Sequence, residues 1–204
     1  NVVISKDYSV IDRTEPKLVK IGDNCIITTG VTILTHDYST FVICRKNGKL
    51  LGSGSPVNIG NNVFVGMNST ILKGTCVGDN VIIGAGSLVK GKLESNSVYA
   101  GVPVRKVCSL EEYEHKMDTK QIDEALNILD FYYKENGDLP PENIFYKYNL
   151  AWLWTDISIS DRYLNSRVVL NNPYFTKSMH EVKRPFKNYD DFLKFYFKKY
   201  NIKL

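Results

Sequence analysis

Residues 1–107 contain a single histidine, His36. An unperturbed imidazole titrates at about 6.5, so it can take a proton from a hydroxyl or amine near neutral pH. His36 lies in the stretch LTHDYSTFVICRKNGKLLGSGSP, and Asp37 follows it directly. Adjacency does not aim a carboxylate at an imidazole, so Asp37 is an orienting group, a ligand contact or a solvated charge. Lys90, Lys92, Arg105 and Lys106 are candidates for a phosphorylated ligand. Residues 1–107 hold 12 Lys/Arg against 7 Asp/Glu, whereas residues 108–204 hold 14 against 15. The basic half is therefore the place to look for such a ligand. Its cations form no dense cluster, which argues against a nucleic-acid partner. Cys25 and Cys76 have no base nearby in sequence, so a Cys–His mechanism is unattractive. A three-histidine zinc site needs more histidines than this half supplies, and no metal is expected.

The elements that position His36 are marked by a repeat. Ile59, Val65, Ile71, Val77, Ile83 and Val89 fall six apart without a slip. Glycine often follows, at Gly60, Gly66, Gly78 and Gly84, and Val63, Ser69, Thr75, Val81, Ser87 and Leu93 stand four beyond each aliphatic. An earlier block, Ile21, Ile27 and Ile33, has the same spacing. A helix needs apolar residues at three-to-four spacing. Period six fits short strands joined by sharp corners, with each aliphatic pointing inward and coils stacking on one another. Asn61–Asn62 and Asp79–Asn80 suit the corners, because these residues tolerate left-handed backbone. The repeat breaks after Ile33 and resumes near Val57. Gly48, Gly52, Gly54 and Pro56 mark residues 34–56 as a loop insertion rather than more coil, and a long loop on a rigid scaffold is where function tends to sit.

The repeat, with THDYS, RKNG and VNIGNNVFVG, resembles the hexapeptide-repeat acetyltransferases, nearest in pattern to the sugar and polysaccharide O-acetyltransferases of the galactoside and maltose type. The string AGVPVRKV resembles the closing signature of that family, with Gly101, Pro103 and Arg105 matching and Val104 replacing a small residue. The resemblance covers roughly residues 19–108. It implies a mainly β fold, a left-handed parallel β-helix with an extended loop, an exception to the usual right-handed crossover. It implies that His36 is the catalytic base and that acetyl-CoA is the donor. Arg105 and Lys106 would then border the coenzyme cleft, where a pyrophosphate and a ribose phosphate need cations. Ala85 and Ser87 align with positions lining the pantetheine arm, largely through backbone groups, and Gly66 and Met67 hold the matching place one coil earlier. The lysine of the family's Thr-Lys pair is displaced here, so Lys90 or Lys92 would substitute. Phe64 stands where relatives carry Trp; it either walls the cleft or caps a coil face. Asp37 becomes a candidate for binding a sugar hydroxyl. The family's homotrimers would set His36 against Ala85, Ser87 and Arg105 of a neighbour.

Composition changes near Cys108. Only 5 of the 24 aromatics precede it, which predicts a β-helix domain over 1–107 and a mostly helical, aromatic-rich region over 108–204. Ser109 and Glu112 make a capping box for a helix ending near Gly137. A second helix is expected over about 142–154, ending in Trp152 and Trp154, and a third over YDDFLKFYFKKY behind Asn188. The aromatics suit packing better than a carbohydrate platform. The scattered cysteines suggest reduced thiols in the cytoplasm, NVVISKDYSV lacks a signal-peptide pattern, and no apolar run approaches a membrane span. The function expected is O-acetyl transfer from acetyl-CoA to a sugar or polysaccharide hydroxyl. N-acetylation of an amino sugar and a non-catalytic assembly module are the rival readings.

Overall fold

The computed structural model describes residues 2–5, 9–154 and 184–202; His180 lies outside them. The chain divides into two compact units, Asn1–His115 and Lys116–Leu204.

The first unit is a coil of short strands. Its opening turn is β1 (Val3–Ile4), β2 (Val10–Ile11) and β3 (Val19–Ile21). The next is β4 (Ile26–Ile27), β5 (Thr32–Ile33) and β6 (Val57–Ile59), and then come β7 (Val63–Val65), β8 (Thr70–Ile71) and β9 (Cys76–Val77). A fourth turn is β10 (Val81–Ile83), β11 (Leu88–Val89) and β12 (Lys92–Leu93), followed by β13 (Ser97–Ala100) and β14 (Arg105–Ser109). The strands sort into three sheets. Sheet one is β1-β4-β7-β10-β13-β14, sheet two is β2-β5-β8-β11, and sheet three is β3-β6-β9-β12. Every pairing is parallel except β13 with β14.

The period of six is the reason for three faces. Three hexapeptides make one turn, so each aliphatic lands in register on the aliphatic eighteen residues away. Val65 pairs Ile83, Ile71 pairs Val89, and Ile59 pairs Val77. Three inner columns result, and their members are almost wholly buried. The residues four beyond each aliphatic, Val63, Ser69, Thr75, Val81, Ser87 and Leu93, are buried as well. The phase shortens at the end of the repeat. Leu93 pairs with Val77, so it fills the aliphatic column itself. Tyr99 ends the first column above Ile83, and its hydroxyl accepts the Glu94 N–H at 2.9 Å.

The corners carry the rest of the pattern. Asn62, Asn80 and Asn96 have φ near +55° and form a side-chain ladder, each amide donating to the next at 2.9 Å. The glycines behind the aliphatics answer to crowding instead. A Cβ on Gly60 would sit 2.7 Å from the carbonyl oxygen of Gly78 one coil away. Gly60→Ala is therefore expected to destabilise the coil by about 1–3 kcal/mol, read by denaturant unfolding, through forced separation of backbones. A midpoint equal to wild type would refute this.

The insertion between β5 and β6 is not wholly irregular. It holds a short helix, α1 (Phe41–Asn47), which ends on Gly48 at φ +76°. The expectation of a plain loop missed it, because glycines at 48, 52 and 54 dominate the local signal.

α2 (Leu110–Asn136) carries the chain into the second unit. The capping box at its start is formed: the Glu112 N–H donates to Ser109 Oγ at 3.0 Å, and the Ser109 N–H donates to Glu112 Oε2 at 2.7 Å. In the second unit the expected helix over 142–154 is broken into α3 (Asn143–Tyr146) and a 3-10 turn at Leu150–Leu153, because Asn149 adopts left-handed backbone at φ +58°. α4 (Tyr189–Tyr200) is capped by Asn188 as anticipated. Trp154 is buried, stacks on Phe192 at 4.8 Å and donates its indole N–H to Glu142 Oε1 at 2.9 Å. That ring is packing material. Among the described residues no helix is long and apolar enough to cross a membrane.

Candidate active site

His36 leaves β5 at the corner between sheets two and three. The neck of the insertion fixes its backbone: His36 bridges Gly54, the Asp37 N–H donates to Ser53 O at 2.9 Å, and the Ser55 N–H donates to Thr35 O at 2.8 Å. Directly below on the preceding coil, β2 pairs with β5, and this places Asp12 against Thr35 and His36.

Asp12 is the residue that sequence reading missed. Its carboxylate is only 3% exposed. Oδ2 accepts from Thr35 Oγ1 at 2.5 Å, from the Thr35 N–H at 2.8 Å and from His36 Nδ1 at 2.7 Å; Oδ1 accepts the Thr14 N–H at 2.8 Å. The Thr35 hydroxyl, above all, holds its carboxyl far below the usual carboxylate range, against the opposing effect of burial; the Thr35 and Thr14 amides and His36 add to the depression. An ionised Asp12 requires a proton on Nδ1. Nε2 is then the ring nitrogen with a lone pair, on a side chain 26% exposed.

The orienting carboxylate is therefore Asp12, not Asp37. Asp37 caps its own turn, accepting the Ser39 N–H at 2.9 Å. That amide and the Ser39 hydroxyl lower its pKa most, with the nearby charges of Lys73 and His36 contributing less. Asp37 still borders the site. A cleft of about 380 Å³ is lined by Leu34, His36, Asp37, Tyr38, Leu72, Lys73 and Lys90, within the range of small-molecule pockets. Tyr38 lies against the imidazole, ring centroids 4.3 Å apart, and stacks on Phe41 at 5.5 Å.

Of the residues anticipated from sequence, the structure gathers His36, Asp37 and Lys90 around this cleft. The others lie elsewhere on the coil. Gly66, Met67, Ala85 and Ser87 occupy the corner between sheets one and two, where the Gly86 N–H donates to Met67 O at 2.8 Å. The Ser87 hydroxyl is consumed inside the coil by Gly84 O at 2.6 Å, whereas the Met67 side chain is exposed. Phe64 points out from the middle of sheet one, in register between Ile26 and Ile82. It does not line the His36 cleft. Arg105 and Lys106 lie on β14, Lys106 paired with Glu94 at 3.2 Å.

Comparison with known proteins follows this geometry. Residues 56–91 match the family described as bacterial transferase hexapeptide (six repeats), and residues 19–35 match the hexapeptide repeat of succinyl-transferase. Both matched stretches lie within the coil. Its parallel sheets and corner spacing are those repeats in three dimensions. The chain is similar to galactoside O-acetyltransferase of Escherichia coli (strain K12), 37% identical over 112 residues that cover 55% of this chain and 50% of that protein. It is also similar to Protein CapG of Staphylococcus aureus, 41% identical, covering 52% of this chain and 64% of that protein. Among solved structures, a maltose O-acetyltransferase from Clostridium difficile 630 is 28% identical over 53% of this chain and 66% of that chain, with a TM-score of 0.43. The chain thus spans about half to two thirds of the length of these proteins.

Proposed function

We propose that this chain transfers an acetyl group from acetyl-CoA to a hydroxyl of a sugar or polysaccharide, with His36 as general base. The observation that carries this reading is the Asp12–His36 pair at 2.7 Å bordering a cleft. In the proposed step Nε2 removes the hydroxyl proton as the oxygen attacks the thioester carbonyl. The tetrahedral intermediate collapses, the coenzyme A thiolate leaves, and the imidazolium returns a proton. Asp12 compensates the imidazolium charge as it forms. The relative named for O-acetyl transfer to a galactoside supports the same donor and acceptor chemistry.

The finer reading adds a left-handed coil, assembled as a homotrimer and working in the cytoplasm. The corner bearing Gly66, Met67, Ala85 and Ser87 is not the corner bearing His36, which supports a cleft completed by a neighbouring copy. In that arrangement Arg105, Lys106 and the backbone of Ala85 would meet the donor. Asp37 would contact a sugar hydroxyl.

The test is thiol release from acetyl-CoA with neutral sugars, amino sugars and capsule-type oligosaccharides. The expected result is acceptor-dependent release and a hydroxylamine-labile product, the mark of an ester. A hydroxylamine-resistant product would make it an N-acetyltransferase. Absence of coenzyme A binding would make the coil an assembly module.

A further inference from the structure

We infer that the cleft beside His36 selects an anionic sugar as acceptor, with Tyr38 as the platform for its ring and Lys73 and Lys90 as the cations that meet its carboxylate, sulfate or phosphate. This deepens the acetyl-transfer reading and rests on it.

Ile33, Ile71 and Val89 stack in one inner column. Their successors Leu34, Leu72 and Lys90 therefore stack outward in the same order, with the Leu34 N–H donating to Ile71 O and the Leu72 N–H to Val89 O, both at 2.9 Å. Two leucines make an apolar strip that ends in an ammonium. Lys73 stands one residue past Leu72, and its ammonium donates to the Ser53 hydroxyl in the neck of the insertion. Tyr38 is 54% exposed although it touches the imidazole and stacks on Phe41. An exposed ring beside the base suits the apolar face of a sugar.

The charges decide the class. Among the described residues, Lys106, Lys134 and Lys199 form ion pairs with carboxylates, and neither Lys73 nor Lys90 does. The two carboxylates near the cleft differ. Asp12 is buried and receives four hydrogen bonds, and Asp37 receives the Ser39 N–H. The lining thus offers a ligand two ammoniums against the single Asp37 carboxylate, whose charge interacts with Lys73, together with an aromatic face and an apolar strip. An acidic sugar offsets that cationic excess, and a neutral one does not.

Ammonium groups also suit the donor's phosphates, so the experiment separates the two sources. Full-length protein is assayed by thiol release with matched neutral and hexuronic oligosaccharides, at low and high ionic strength. The expected result is a kcat/KM about tenfold higher for the acidic acceptor at low salt, shrinking as salt is added. Lys73→Gln and Lys90→Gln should each lower that acidic-to-neutral ratio about fivefold and leave KM for acetyl-CoA in place. A ratio near one in wild type overturns the inference. So does a rise in KM for acetyl-CoA with the ratio unmoved, which would assign the lysines to the donor. If no acceptor is turned over, calorimetric titration decides: binding of the acidic oligosaccharide alone, weakened by both substitutions, supports the inference, and equal or absent binding of the two overturns it. Equal thiol release by wild type and His36→Ala would instead remove the base assignment, and the titration would still judge the acceptor class.

Discussion

His36→Ala is expected to lower kcat for acetyl transfer by roughly 10²–10⁴-fold, with KM for acetyl-CoA changed little. The size follows from what a positioned base contributes. A sugar hydroxyl is a weak nucleophile, and its proton must leave as the new bond forms. His36 is held for that purpose by the Asp12 bond at 2.7 Å and by the Asp37–Ser53 and Ser55–Thr35 bonds in the neck of the insertion. The side chain is partly exposed and belongs to no hydrophobic core cluster, so its loss leaves no cavity in the coil. Circular dichroism should match wild type, while the unfolding midpoint should fall modestly, because the buried Asp12 carboxylate loses the His36 donor. Initial-rate measurement of thiol release settles it, and a rate within threefold of wild type would sink the base assignment.

Asp12→Asn carries the second large effect, and it reads on two scales at once. Asp12 acts through His36, as a positioning residue. An amide places an NH₂ group where a carboxylate oxygen now accepts, so at least one of the Thr35, Thr14 and His36 donors loses its partner or the imidazole changes tautomer. The expected fall in kcat is about 10²-fold, again with KM for acetyl-CoA retained. Stability falls too, by about 1–3 kcal/mol for a stranded buried donor. The pH dependence gives a readout that activity alone cannot. The folded-state pKa of Asp12 is depressed below the ordinary carboxylate value. Its contribution to stability is therefore fully present above that ordinary value, near pH 4, and is lost as pH falls below it. Between pH 6 and pH 3 the wild-type Tm should drop further than that of Asp12→Asn. Parallel curves for the two proteins would deny Asp12 its ionised role.

Much of the coil was legible because its rule is local. Six-residue spacing names the inward residues, and the structure buries them column by column. Asp12 was not legible for the same reason. Val10 and Ile11 stand ten or more residues before Ile21, and the opening turn carries a 3-10 segment at Pro16–Leu18. The first turn thus falls out of the period that a repeat search follows, although β2 sits squarely on β5. Tyr38 and Lys73 were missed differently. Each is ordinary in sequence and gains meaning only when the insertion folds back over the corner. Phe64 and the residues Gly66, Met67, Ala85 and Ser87 were found by resemblance, but spacing in a chain does not say which corner of a triangle a residue will reach. In the second unit, periodicity located α2 and α4, while the left-handed Asn149 that splits the middle helix has no periodic signature.

The reversal at β14 has a consequence for the life of the protein in a crowded solution. A stack of identical parallel turns has no natural last layer, and its final rim is a template on which another molecule's first turn could be laid, and another on that. Here the rim of sheet one is occupied by a strand running the opposite way, displaced by a bulge between Val98 and Tyr99 and carrying Arg105 and Lys106. Reversed polarity, a bulge and like charges are each poor seeding surfaces for further strands. On sheet one, the strand that ends the coil is thus also the one that leaves a further turn little to be laid upon.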